Sequence, residues 1–152
     1  MHFFEKEIFV SWHLNTYVCS MNNRWKSSVK AKYNIAYHLI WCPKYRRSVL
    51  VAGVDVRLKE LLIEKAKDMG VIIENMEVMP DHVHLFVKCS PIDNPQQIVG
   101  QFKGYASRYL RAEFPKLKSR LPSLWTRSYY CESVGHISEA TIKKYIEEQK
   151  NK

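Results

Sequence analysis

Apolar residues recur along this chain with two periods, two and about 3.6, separated by turn residues. The sharpest stretch is Met79-Pro80-Asp81-His82-Val83-His84-Leu85-Phe86-Val87, in which Val83, Leu85 and Val87 alternate with His82, His84 and Phe86. That is the pattern of a strand with one face in a core. Upstream, residues 33–42 are rich in β-branched and aromatic side chains and stop at Pro43, which predicts another strand. A basic turn, Lys44-Tyr45-Arg46-Arg47, follows. Val56, Leu58, Leu61, Leu62, Lys65, Ala66 and Met69 then recur at helical spacing, with Gly70 placed as a C-terminal stop. Residues 71–78 read as a second strand, and Pro80-Asp81 turns the chain straight into the histidine strand. The two predict a hairpin.

The second half repeats the grammar. Asn94 suits a helix N-cap, Pro95 the first helical position and Gln97 the reciprocal capping bond. Ile98, Phe102, Tyr105, Tyr109 and Leu110 are the expected buried face of that helix, with Gly100 and Gly104 weakening it. Residues 116–120 read as a basic loop and residues 125–134 as a fourth strand, with one of Tyr129 and Tyr130 facing the core. Gly135 punctuates, Ser138 can cap, and a last helix is expected over residues 139–150. The order strand, helix, strand, strand, helix, strand, helix predicts an α+β fold. Its form is a ferredoxin-like βαββαβ core with an additional C-terminal helix that carries Tyr145. Residues 1–30 fit this scheme poorly. Ile8, Val10, Trp12 and Leu14 alternate like a short strand, Asn22-Asn23 and the basic stretch 26–32 look like a linker, and Met21 is a candidate start. We therefore divide the chain into an N-terminal extension of unassigned role (1–30) and one domain (31–152).

Composition narrows the partners. With 24 Lys and Arg against 15 Asp and Glu, the formal charge is +9 and the pI about 9.4. Such an excess attracts polyanions, nucleic acid first. No apolar run is long enough to span a bilayer and no signal-peptide pattern is present. Cys19, Cys42, Cys89 and Cys131 are scattered without a C-x-x-C pair, which argues against a disulfide or zinc-knuckle framework and for a cytoplasmic protein.

The candidate chemistry starts from His82 and His84. Two residues apart on a strand, they point to one side, about 6.5 Å apart, and can converge on one cation. Taken alone, such a pair more often simply faces solvent. Ile142, Tyr145, Ile146 and Gln149 share one face of the last helix, with Tyr145 and Gln149 one turn apart. A carboxamide oxygen beside two imidazoles suits Mg²⁺ or Mn²⁺ better than a closed zinc site. Ordinary amphipathicity describes the same helix equally well, with Gln149 at the solvent edge.

Three blocks taken together, residues 37–47 (YHLIWCPKYRR), 76–85 (MEVMPDHVHL) and 142–149 (IKKYIEEQ), resemble the single-tyrosine HUH transposases, the small TnpA-type transposases of insertion sequences that move as single-stranded DNA. The match runs in order over about four-fifths of the chain. The resemblance implies that His82 and His84 are metal ligands with Gln149 as the third, that the cofactor is a divalent metal (Mg²⁺ or Mn²⁺), and that Tyr145 is the catalytic nucleophile. It also implies a homodimer, possible sharing of sites between subunits, and imperfect single-stranded DNA hairpins as substrate. The N-terminal stretch is longer than is usual in the family.

The implied reaction is transesterification, in which Tyr145 attacks a phosphodiester, becomes joined to the 5′ phosphate and frees a 3′ hydroxyl. Rejoining reverses the attack and needs no ATP. Among competing tyrosines, Tyr105, Tyr109, Tyr129 and Tyr130 have no candidate metal ligand one helical turn away. Lys44, Arg46, Arg47, Lys103, Arg108, Arg111, Lys116, Lys118 and Arg120 are candidate phosphate contacts, and Tyr45 and Trp125 candidate stacking platforms for unpaired bases. Three rivals stay open at this point. They are a domesticated relative acting on repeated chromosomal hairpins, an RNA-binding-type module without catalysis, and a phosphohydrolase with a water nucleophile.

Overall fold

The structure, a computed structural model, describes Lys26–Ser27 and residues 31–149. Ile8, Val10, Trp12, Leu14, Cys19, Met21 and Asn22-Asn23 lie outside the described residues. The chain divides at Asn34/Ile35 into two compact units. In the first, β1 (Lys26–Ser27) pairs antiparallel with β2 (Lys32–Tyr33).

The second unit contains β3 (Ile35–Trp41), α1 (Val54–Met69), β4 (Ile72–Met79), β5 (His82–Cys89), α2 (Pro95–Glu113), α3 (Pro115–Arg120), β6 (Tyr130–Ser133) and α4 (His136–Gln149). The sheet order is β4-β5-β3-β6, every neighbouring pair antiparallel. This is the ferredoxin-like βαββαβ arrangement with an additional C-terminal helix, as expected. The local signals act as predicted. Gly70 ends α1 at φ 69°, a conformation glycine adopts without Cβ strain. Asn94 Oδ1 accepts a 2.9 Å bond from the Gln97 backbone N–H, with Pro95 opening α2. Pro80 and Asp81 join β4 to β5 as a hairpin.

One sheet face carries Leu39, Trp41, Val83, Leu85 and Val87 against Leu58, Leu61, Leu62 and Ala66 of α1 and Ile98, Val99, Phe102, Ala106 and Leu110 of α2. At about 25 cal/mol per Å² of apolar surface removed from water, this is the main store of stability. The opposite face carries a smaller cluster, Ala36, Phe86, Val134 and Ile146, with Ile142 packed against it. That cluster docks α4.

Several expectations are corrected. Val56 and Tyr109 are exposed, because helical phase puts Val54 on the core side of α1 and Ala106 beneath Tyr109's turn of α2. Residues 115–120 are not a loop but the short helix α3, whose Leu117 is buried. The fourth strand is four residues long. Trp125 contributes an isolated bridge to Pro43 and is core, its indole N–H donating 2.9 Å to the Lys103 carbonyl. Tyr129 and Tyr130 are both exposed: Tyr129 precedes β6, and Tyr130 is the first residue of that edge strand.

Candidate active site

Period two puts His82, His84, Phe86 and Lys88 on the α4 face of β5. Cross-strand register brings Ile40 opposite His84 and His38 opposite Phe86 from β3, and Glu77 opposite His84 from β4. The result is an imidazole cluster. His82 and His84 ring centroids are 4.9 Å apart at 73°, and the His38 ring lies beside that of His84, within 15° of parallel and 5.4 Å between centroids. Burial differs across it. His84 and His38 are 3% and 4% exposed, while His82 is half-buried.

Hydrogen bonding takes up the same nitrogen on both strand-β5 histidines. The His82 Nδ1–H donates 2.5 Å to Asp81 Oδ1, and Asp81 Oδ2 accepts 3.0 Å from Arg46 Nε. His84 Nδ1 shares a 3.2 Å bond with His38 Nε2. Nε2 is thus the nitrogen left for a ligand on each. Burial, followed by the charges of His82 and His38, pushes His84 down to about 4, so it is a neutral imidazole with a lone pair at neutral pH. The hydrogen bond from His82, helped by Arg46 and opposed by burial, holds the Asp81 carboxyl below its usual range.

Helix α4 lies over this face. Ile146 is fully buried beside Phe86, and the Lys143 ammonium sits 5.6 Å over the Phe86 ring and 3.5 Å from Glu74. That anchoring brings the Tyr145 ring to 5.7 Å from the His84 ring, edge-on at 68°, within a single chain. Tyr145 is 45% exposed. Gln149 is half-buried one turn farther along, about 6 Å up the axis. Among the described residues no group of three or more His, Cys, Asp or Glu is placed to hold a metal ion. His82 and His84 on β5 offer two imidazole nitrogens, and Gln149 on α4 offers a carboxamide oxygen. The donor set therefore fits a hard divalent ion.

The basic candidates separate by partner. Arg46 is tied to Asp81. The Lys103 ammonium caps the carbonyls of Thr126, Arg127 and Ser128 at 2.6, 3.4 and 3.3 Å, with burial lowering its pKa. Arg111 spans the carbonyls of Pro122 and Leu121. Arg47 and Arg120 line one cavity of about 460 Å³. Lys44, Tyr45, Lys103 and Arg127 line an open cleft of about 840 Å³. Lys116 and Lys118 lie on α3, and Arg108 sits 5.9 Å over the Tyr109 ring on α2. Tyr45 is 67% exposed and, like Arg46, left-handed (φ 59° and 49°), a conformation that costs a non-glycine residue about 1 kcal/mol or more. The Lys44 N–H to Leu124 carbonyl bond and the Arg46–Asp81 pair hold it. His38 and Asp81 were not singled out from the sequence. A histidine in phase with a strand face is a visible signal, but its neighbour β5 is not.

Residues 31–149 match the family described as transposase, IS200 like. The chain belongs to the IS200-like transposase family. It is 42% identical to the ISDra2 transposase TnpA of Deinococcus radiodurans over 122 residues, 79% of this chain and 87% of that protein. It is 30% identical to the transposase for insertion sequence element IS200 of Salmonella typhimurium over 126 residues, 82% of each. Among solved structures, a candidate transposase from Deinococcus radiodurans R1 superposes with TM-score 0.68 at 38% identity, covering 82% of this chain and 97% of that one. A REP-associated tyrosine transposase bound to a REP hairpin shares the fold, with TM-score 0.56 at 14% identity over 80% of this chain and 68% of that one. The IS200-like family is one of DNA transposition, so DNA is the partner of this chain. No helix among the described residues is long and apolar enough to cross a membrane.

Proposed function

We propose that this IS200-like transposase binds single-stranded DNA hairpins at the ends of its element and cuts and rejoins single strands through Tyr145. The observation that carries the reading is the Tyr145 ring 5.7 Å from His84, with His82 alongside at 4.9 Å. Tyr145 loses its phenolic proton, and its oxygen bonds the phosphorus of a phosphodiester. The bond to the 3′ oxygen breaks, and that oxygen takes up a proton and leaves as a hydroxyl. A 5′-phosphotyrosine conserves the phosphoester bond for the reverse step.

His82 and His84, with Gln149, are the residues that would hold Mg²⁺ or Mn²⁺. A phenol has pKa about 10, and a bound divalent ion supplies Lewis-acid stabilisation of charge on the phosphate. Asp81 and Arg46 keep His82 oriented. Tyr45, exposed beside a cleft, offers a stacking face to an unpaired base, and Arg47 and Arg120 offer paired guanidinium groups to a phosphate. A homodimer working in the cytoplasm completes the proposal.

A labelled oligonucleotide spanning the DNA that flanks the gene tests it. With Mn²⁺ or Mg²⁺ the wild-type protein yields a denaturation-resistant protein–DNA adduct, and Tyr145→Phe yields none while still binding the hairpin in EDTA. An adduct formed at full yield by Tyr145→Phe would refute the nucleophile, and cleavage without any adduct would indicate a water nucleophile instead.

A further inference from the structure

We propose that His38, which lies outside the nucleophile and ligand set above, is a positioning residue that fixes His84 in the one tautomer able to bind a cation through Nε2. The inference rests on the reading of His84 as a metal ligand. His38 is 4% exposed and His84 3%, and buried polar groups of this kind persist only with partners. Their 3.2 Å nitrogen–nitrogen bond joins His38 Nε2 to His84 Nδ1, and a bond between two imidazoles needs one N–H facing one lone pair.

Only one direction of that bond serves the site. With the proton on His84 Nδ1, His38 Nε2 accepts, and His84 Nε2 carries a lone pair. With the proton on His38 Nε2 instead, His84 Nδ1 accepts, and the remaining proton of neutral His84 occupies Nε2 and closes it to a cation. A partner that accepts at Nδ1 therefore decides whether His84 is a competent ligand.

The backbone holds this arrangement firmly. His38 and His84 are diagonal neighbours across β3 and β5, since His38 is opposite Phe86 and Ile40 is opposite His84. Strand β3 is bonded on both sides, by β5 and β6. The rings lie within 15° of parallel, so His38 fixes the plane of His84 as well as its proton. On the far side, Tyr130 meets His38 edge-on at 6.4 Å, and Glu132 is its register partner on β6, a negative charge that suits the remaining His38 N–H.

The test compares wild type with His38→Leu, which removes the acceptor, and His38→Gln, whose carboxamide oxygen restores one. Mn²⁺ affinity is read by the electron paramagnetic resonance of the free ion, hairpin binding by anisotropy in EDTA, and the His84 tautomer by ¹⁵N nuclear magnetic resonance. We expect His84 protonated at Nδ1 in the wild type, Mn²⁺ bound about 10- to 100-fold more weakly by His38→Leu, and near-wild-type affinity in His38→Gln. Metal-free hairpin binding stays unchanged in both. Wild-type His84 protonated at Nε2 would overturn the proposal, as would a His38→Leu variant with unaltered tautomer and Mn²⁺ affinity. Should His38→Leu not fold, the wild-type tautomer and His38→Gln still decide. A His84→Ala control separates the two levels. If it binds Mn²⁺ as wild type does, the metal reading falls, and whether His38→Leu shifts the His84 tautomer still decides the role of His38.

Discussion

Beyond the half-buried His82 at its start, strand β5 has two faces that are both dry and chemically opposed. Toward α1 and α2 it presents Val83, Leu85 and Val87, each fully buried. Toward α4 it presents His84, Phe86 and Lys88, at most 8% exposed. Burial alone therefore does not tell a core from a site. On the first face, burial removes apolar surface from water and needs no further partner. On the second, the buried polar groups of β5 are matched across strands: His84 by His38, and Lys88 by Glu74 at 3.5 Å. Such matching fixes geometry more than it adds stability, which is what positioned chemistry requires.

The largest predicted contrast between the faces is functional. Tyr145→Phe should abolish covalent attachment to single-stranded DNA while leaving the unfolding midpoint unchanged, because Tyr145 is 45% exposed and outside both hydrophobic clusters. Next come the two hydrophobic clusters. Phe102→Ala should cost about 3–5 kcal/mol and lower the denaturant midpoint of the whole unit. Ile146→Ala, at about 2–5 kcal/mol locally, should undock α4. Hydrogen exchange would then rise in α4 while α1 and α2 stay protected, and uniform loss of protection would show that the clusters are not separable.

Acid and alkali titrate the faces separately. The unfolded chain protonates His84 near 6.5 and the folded chain only near 4, so in EDTA the folded state should lose stability as pH falls between those values. On the other face, burial, with Asp93 and Cys131 contributing, pushes the Cys89 thiol up from 9.0 to about 11. The unfolded thiol ionises first, so stability present below pH 9.0 should be lost as pH rises toward 11. Denaturant titrations across pH check both, and Cys89→Ala should flatten the alkaline limb alone. Asp81→Asn should have only a small effect on stability. Its ion pair with Arg46 is exposed on the arginine side, which should limit the loss to under about 1 kcal/mol. Mn²⁺ affinity should nonetheless fall about tenfold, a difference that titration against free Mn²⁺ would resolve.

The register of chemistry against pattern explains what could be read in advance. Element order, the hairpin at Pro80-Asp81, the Asn94 cap and the Gly70 stop are local, set by backbone preferences within a few residues, and they appear as written. Helix phase was less legible where an aromatic or β-branched residue flanks the buried stripe, as at Tyr109 and Val56, since a contiguous apolar list fits two neighbouring phases. Edge position was not legible at all. Nothing near Tyr129 and Tyr130 says that β6 starts only at Tyr130 and has a neighbour on one side only. Likewise Lys103 and Arg111 look like free cations in sequence, yet their charges are spent on carbonyls of residues 121–128, brought close by the chain's return after α3.

Sequence by itself determined the alternation that sends His82 and His84 to one side, the helix that aligns Tyr145 with Gln149, and the family to which three short blocks assign the chain. Tertiary structure decided that α4 lies over that face of its own sheet, with Tyr145 beside His84, and that His38 and Asp81 take the Nδ1 positions. The reason is range. Periodicity and capping act over a few residues along the chain. The imidazole cluster depends on β3 lying next to β5, a pairing between residues 46 apart that only the packed sheet specifies.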